Sequence, residues 1–135
     1  MASVYLDACC FIYLVEGTPT WRSIVEDRLR QLEPAERLVT SHLSRLECRS
    51  KPMADADASL LARYDALFGA TRVDVVDVTA SVIDRATDLR ARYRFKTPDC
   101  IHLATAAAAG ASAFWTGDAG LRRCSDVNVV VLSPP

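Results

Sequence analysis

Residues 3–7 read Ser3-Val4-Tyr5-Leu6-Asp7, a run of mostly β-forming character that ends in a carboxylate. It shows no polar alternation, and Cys9-Cys10-Phe11-Ile12-Tyr13-Leu14-Val15 follows at once. A strand apolar on both faces is a central strand of a covered, parallel sheet. An acid placed where such a strand gives way to a helix sits at the carboxyl edge of the sheet, where open α/β folds bind their ligands. Asp7 is therefore the anchor of the sequence. Three further acids, Glu47, Asp99 and Asp118, fall at places that can reach the same edge.

The rest of the chain alternates helical and extended patterns. A helix over 8–16 is stopped by Gly17-Thr18-Pro19, and Thr20 is expected to cap a helix over 21–32 with apolar residues at helical spacing. A short strand at 37–40 ends at Ser41, and a helix through Leu43, Leu46 and Glu47 runs toward Lys51-Pro52. Residues 55–68 are amphipathic, while 72–78 alternate Val with Asp as a half-exposed strand near an edge would. Thr79 caps the next helix. Thr97-Pro98-Asp99 then supplies a cap residue followed by proline, a helix start. That helix is expected to reach Ala109 and stop at Gly110. A strand at 112–116, a tight loop at 117–120 and an apolar strand at 128–132 complete the chain. Strands alternating with helices give a parallel α/β sheet with right-handed crossovers, expected here as one domain over 1–135. Two helices fall between the third and fourth strands, so one of them has to lie across the sheet.

The totals bound the function classes. With 135 residues, 50% apolar and 24% charged, the composition is that of an ordinary globular domain able to bury a core. No apolar run approaches the ~20 residues of a membrane helix, and the start MASVYLD enters a strand without a signal segment, so a cytoplasmic location is expected. The five cysteines are odd in number and form no C-x-x-C pair, which reads as buried free thiols in a reducing compartment. A net charge of −1 advertises no polyanion partner globally, yet of the sixteen basic residues only Lys51 and Lys96 are lysines. Arginine suits phosphate geometry, and a genome biased toward Arg and Ala codons accounts for the same composition.

Singly, each acid has an ordinary reading: Asp7 and Asp118 as caps or turn residues, Asp99 as a first-turn acid, Glu47 as a solvated helix residue. Together they can converge on one rim. Asp99 opens a helix antiparallel to the fourth strand, so it returns to that rim, and Asp118 follows the same strand by two residues. Crowded carboxylates raise one another's pKa unless a cation neutralises them, and oxygen-only ligands suit Mg²⁺ or Mn²⁺. A divalent ion held there can generate a hydroxide and stabilise a leaving oxygen, the apparatus of phosphate chemistry.

YLDACCFIYL, S-H-L-S-R-L-E, TPDCIHLATA and WTGDAGL resemble, in order, the four acidic motifs of the PIN-domain nucleases. At this compact length the chain is similar to the VapC-type toxins of toxin–antitoxin pairs. The resemblance spans Asp7 to Asp118. It implies a flavodoxin-like parallel sheet of about five strands flanked by helices, Mg²⁺- or Mn²⁺-dependent endoribonuclease activity, and a cognate antitoxin that blocks the site. It assigns Asp7, Glu47, Asp99 and Asp118 as metal-binding and catalytic acids and Thr116 as their supporting hydroxyl. The family often has Asn, Ser or Thr two residues after the first acid, where Cys9 stands here.

Arg45, Arg49, Arg94, Lys96, Arg122 and Arg123 flank the acidic motifs and are candidates for RNA-backbone contacts. His102, three residues after Asp99, shares its helical side; it reads either as a general base or metal ligand or, since the resemblance assigns it no catalytic role, as a residue that supports the site or simply packs near it. The apolar faces of the Trp21 helix and of residues 60–68 are candidate grooves for the antitoxin, and a homodimer remains an option. A phosphoacceptor receiver domain is disfavoured because no Lys ends the fifth strand, and an Asp-nucleophile phosphatase because Cys9 stands where its second Asp would be. The alternative is a PIN-like module that binds RNA or protein without catalysis.

Overall fold

Alternate side chains of the first strand, β1 (Ser3–Leu6), enter two different cores in the computed structural model, which describes residues 2–134. Val4 and Leu6 point into one, and Tyr5 into the other. All four strand residues are buried, as the absence of polar alternation requires. Beside β1 lie β2 (Arg37–Ser41) and β4 (Ala113–Thr116), with β3 (Val73–Val76) and β5 (Val129–Val131) at the edges. The order is β3-β2-β1-β4-β5, and every pairing is parallel. Val4 is level with Leu38 on one side and Ala113 on the other.

Between the strands run α1 (Ala8–Glu16) and α2 (Pro19–Arg30), α3 (His42–Ala54) and α4 (Ala58–Phe68), then α5 (Ala80–Tyr93) and α6 (Thr97–Ala108). The first four helices cover the Val4 face, where Phe11, Val25, Cys48, Tyr64 and Phe68 join Trp115 in one core. Helices α5 and α6 cover the Tyr5 face with Leu89, Leu103 and Phe114. The third connection has to carry the chain from the β3 edge past β2 and β1 to β4. Its two helices pack on each other, and α6 reaches both β2 and β4. The two helices between the third and fourth strands therefore have a geometric reason, and the first two connections are doubled as well.

Several boundaries differ from their expected places. Thr18, not Thr20, caps α2, because Pro19 then takes the first helical position where its missing N–H costs nothing. Pro52 lies inside α3 rather than ending it; the ring is buried, and so near the helix end it forfeits little of the hydrogen-bond ladder. Lys96, not Thr97, is the N-cap of α6, with no side-chain cap bond. The expected loop after β4 holds a turn of 3-10 helix, Ala119–Arg123. The α4 face offered to a partner is largely occupied within the chain, since Tyr64 and Phe68 are buried; among the described residues the exposed large apolar ones are Ile12, Leu46, Met53 and Ile83. Cys10, Cys48, Cys100 and Cys124 are buried free thiols, and Cys9 is half-buried. Among the described residues, no helix is long and apolar enough to cross a membrane.

Candidate active site

After β1 the chain turns toward β2, whereas the later crossover delivers β4 to the opposite side of β1. The carboxyl ends of β1 and β4 therefore flank the topological switch point, the crevice in which open α/β sheets bind ligands. Asp7 follows the last residue of β1, and Asp118 follows β4 by two residues. A cavity of about 420 Å³ opens between Asp7, Cys9, Tyr13, Thr116, Gly117 and Asp118.

Thr116 ties the two acids together. Its hydroxyl, fully buried, donates to Asp7 Oδ2 at 2.9 Å and accepts the Asp118 N–H at 3.1 Å. The other Asp7 oxygen caps α1 by accepting the Ala8 N–H at 2.7 Å. Asp118 in turn caps the 3-10 helix, accepting the Gly120 N–H at 2.8 Å. Each acid is thus a cap and a rim residue at once, so the ordinary reading and the functional one coincide. Cys9 gives Asp7 no hydrogen bond; its sulfur accepts the Gly117 N–H at 3.3 Å and holds the β4 loop against α1. The support that a polar residue at that position would offer comes to Asp7 from Thr116 and the α1 backbone.

Asp99 stands in the first turn of α6, where the helix dipole favours an anion. Even so, its carboxyl is pushed above the ordinary range, by burial first and then by the charges of Asp7 and Asp118. His102 opposes that rise, and Glu47 adds to it. Glu47, from α3, is held at the same rim: its Oε1 accepts a hydrogen bond from His102 Nε2 at 2.5 Å, and that nitrogen is 3.6 Å from Asp7 Oδ1. Burial works against the charged form of His102, but the Glu47 hydrogen bond and the charges of Asp7, Glu47 and Asp99 outweigh it and raise the imidazole pKa.

The four predicted acids therefore meet at one rim and feel one another's charge. Among the described residues, no three His, Cys, Asp or Glu side chains yet stand as a finished metal cage. The chemistry of the donors nevertheless fits a hard divalent cation: carboxylate oxygens face one another with too little positive charge between them, and Asp99 registers the excess. Asp7, Asp99 and Asp118 would hold such an ion. Glu47 would meet it only as far as its bond to His102 allows.

The basic residues divide. Arg49 Nε is 2.8 Å from Asp65 Oδ1, and Arg45 Nη1 is 2.9 Å from His42 Nδ1. Arg123 lies over the Phe95 ring at 4.7 Å and donates to the Tyr93 carbonyl at 3.1 Å, so it braces the loop after β4. Arg94 ends α5 with φ 60° in the left-handed region, Lys96 caps α6, and Arg122 is exposed on the 3-10 helix. Arg94, Lys96 and Arg122 have the exposure that a phosphate contact needs. Sequence reasoning missed the role of Tyr5, whose hydroxyl contacts His102 Nδ1 at 2.7 Å. The available signal was a tyrosine in an otherwise apolar central strand, since a buried hydroxyl has to find a partner.

A search of curated protein sequences returns no match. Solved structures do match along nearly the whole chain. VapBC2 from Rickettsia felis, bound to a DNA fragment from its promoter, superposes with a TM-score of 0.82 at 14% identity, covering 97% of this chain and 99% of that one. VapC20 of Mycobacterium tuberculosis, a toxin that cleaves the sarcin–ricin loop, gives 0.77 at 16%, covering 98% and 99%. VapBC-1 from nontypeable Haemophilus influenzae gives 0.78 at 19%, covering 96% and 97%. At these identities the likeness shows the fold. The family model that describes the PIN domain matches residues 4–127, from within β1 to the approach of β5, and the chain belongs to the PIN-domain family.

Proposed function

We propose that this protein is an endoribonuclease dependent on Mg²⁺ or Mn²⁺, and the toxin of a toxin–antitoxin pair. The observation that carries the reading is the meeting of Asp7, Asp99 and Asp118 at the switch point, with Thr116 bonded to the first and last and Asp99 raised by its neighbours. A solved structure with the same fold, that of a toxin that cleaves the sarcin–ricin loop, supports it. A divalent ion bound there would supply the Lewis acid and lower the pKa of a water. Thr116 orients Asp7 through Oδ2, the α1 amide of Ala8 holds Asp7 Oδ1, and the Gly120 amide of the 3-10 helix holds Asp118 Oδ1. Exposed Arg94, Lys96 and Arg122 would bring the phosphate backbone to a rim that is itself negative. Among the described residues no pair of His or Lys side chains is set up for attack by the 2′-hydroxyl, so the expected products carry 5′-phosphate and 3′-hydroxyl ends.

An RNase of this kind needs an inhibitor in its own cell. The acidic rim suits a guanidinium from such a partner, which can bridge two carboxylates. The test is cleavage of total bacterial RNA with Mg²⁺, with Mn²⁺ and with chelator. Cleavage in metal alone, lost in Asp99→Asn, supports the reading; no cleavage with either metal leaves a binding module. Inhibition by a neighbouring small protein, weakened when its arginines become alanine, would support the toxin assignment; full activity in a saturated complex would overturn it.

A further inference from the structure

Tyr5, Ser41, His102 and Glu47 form a continuous polar chain from the middle of the sheet to the rim. The Tyr5 side chain is fully buried, stacked on Phe114 with ring centroids 5.3 Å apart and planes 5° from parallel. Its hydroxyl lies 3.1 Å from Ser41 Oγ and 2.7 Å from His102 Nδ1. His102, 1% exposed, reaches Glu47 Oε1 with Nε2 at 2.5 Å. An ionised carboxylate only accepts, so Nε2 carries the hydrogen in that bond.

Glu47 needs such a hold. Its residue is exposed on α3, its side chain is long, and Asp7 and Asp99 stand ahead of it with like charge. Left alone, the carboxylate would be repelled toward solvent. The imidazole cannot give way: Tyr5 fixes Nδ1 on one side, and Phe114 fixes Tyr5. We infer that Tyr5 and His102 are positioning residues, a rigid strut that draws Glu47 in from α3 and sets its carboxylate at the rim beside Asp7. The inference about catalysis rests on the nuclease reading above; the inference about the strut does not.

The test uses the full chain, labelled with ¹⁵N and free of metal and RNA. Ring-nitrogen spectra of His102 are compared in the wild type, Tyr5→Phe and Glu47→Gln. The strut predicts a protonated Nε2 whose resonance moves in Glu47→Gln, and an Nδ1 resonance that moves in Tyr5→Phe. His42, the other histidine, serves as the control. A His102 ring indifferent to both substitutions overturns the strut, and Glu47→Gln removes no buried group, so the comparison survives if Tyr5→Phe folds poorly. Cleavage of total bacterial RNA in Mn²⁺ then tests the consequence. His102→Leu should lose activity about 10-fold, the lower end for a residue that orients a metal ligand. His102→Gln, whose amide can still donate to Glu47, should recover part of it. In the Glu47→Gln background His102→Leu should cause no further loss; an undiminished loss there would show that His102 acts by another route. If the wild type cleaves no RNA, the nuclease reading fails while the ring-nitrogen comparison still decides the strut.

Discussion

Replacing Thr116 by valine removes a hydroxyl and little volume, so its effect isolates the two hydrogen bonds at the switch point. The residue is fully buried and bonds both Asp7 and the Asp118 amide, so valine takes this partner from both groups. The bond to the Asp7 carboxylate is worth ~1.5–3 kcal/mol and the bond from the amide ~0.5–1.5 kcal/mol. Asp118 is exposed and can turn its amide to solvent, so the loss is expected near the lower end, about 2–3 kcal/mol. For a chain of this length that is a fall in Tm of roughly 6–12 °C. With Asp7 Oδ2 unpinned and only Oδ1 still bonded to the Ala8 N–H, Mn²⁺ affinity and RNA cleavage should drop by about 10–100-fold. Thr116→Ser keeps the hydroxyl and should keep both. Calorimetry of Mn²⁺ binding alongside thermal melts separates the two effects. A valine variant that binds Mn²⁺ and cleaves like the wild type, even if less stable, would refute the role given to this hydroxyl.

Asp99→Asn should raise the Tm of the metal-free protein, because the raised Asp99 pKa means that its charge opposes folding, and should abolish the further rise expected of the wild type in Mg²⁺. The sign has a pH consequence. A carboxyl raised on folding stabilises fully below its unfolded value of about 3.9, and that contribution is lost as pH rises through the folded value. The Tm advantage of Asp99→Asn should therefore shrink as pH is lowered toward that range, and an advantage constant with pH would contradict the assignment. Gly117→Ala should disturb the cleft, since a Cβ there meets the Tyr13 hydroxyl, and Tyr13→Phe should restore part of the lost activity and stability. Leu103→Ala, in the fully buried α6 face, should cost about 2–5 kcal/mol by urea unfolding, with a proportionate cost to any property that depends on where α6 holds Asp99.

The parts of this fold that were legible in the sequence are those written in adjacent residues. SVYLD announces a strand covered on both faces, and TPD announces a helix start whose acid returns to the rim. The Val and Asp alternation at 72–78 announces an edge strand, which β3 is. What could not be read was set by residues far apart in the chain. Tyr5, Glu47 and His102 come from β1, α3 and α6, and nothing local to any of them says that an imidazole would sit between a buried phenol and an acid at the rim. The face of α4 has the same origin: amphipathicity shows that one side is covered, and only packing shows that α1 supplies Phe11 to cover Phe68. Arg123 flanks an acidic motif in sequence but has its guanidinium over Phe95, because tertiary contact offered it a ring.

Crystals of the wild-type protein grown in Mn²⁺ and measured at an energy where manganese scatters anomalously would locate the ion directly. The expected result is an anomalous peak at the carboxyl ends of β1 and β4, within ligand distance of carboxylate oxygens of Asp7, Asp99 and Asp118 and absent from Asp99→Asn crystals. A peak elsewhere on the molecule, or an empty rim at saturating Mn²⁺, would contradict the claim that these acids form a metal-dependent active site.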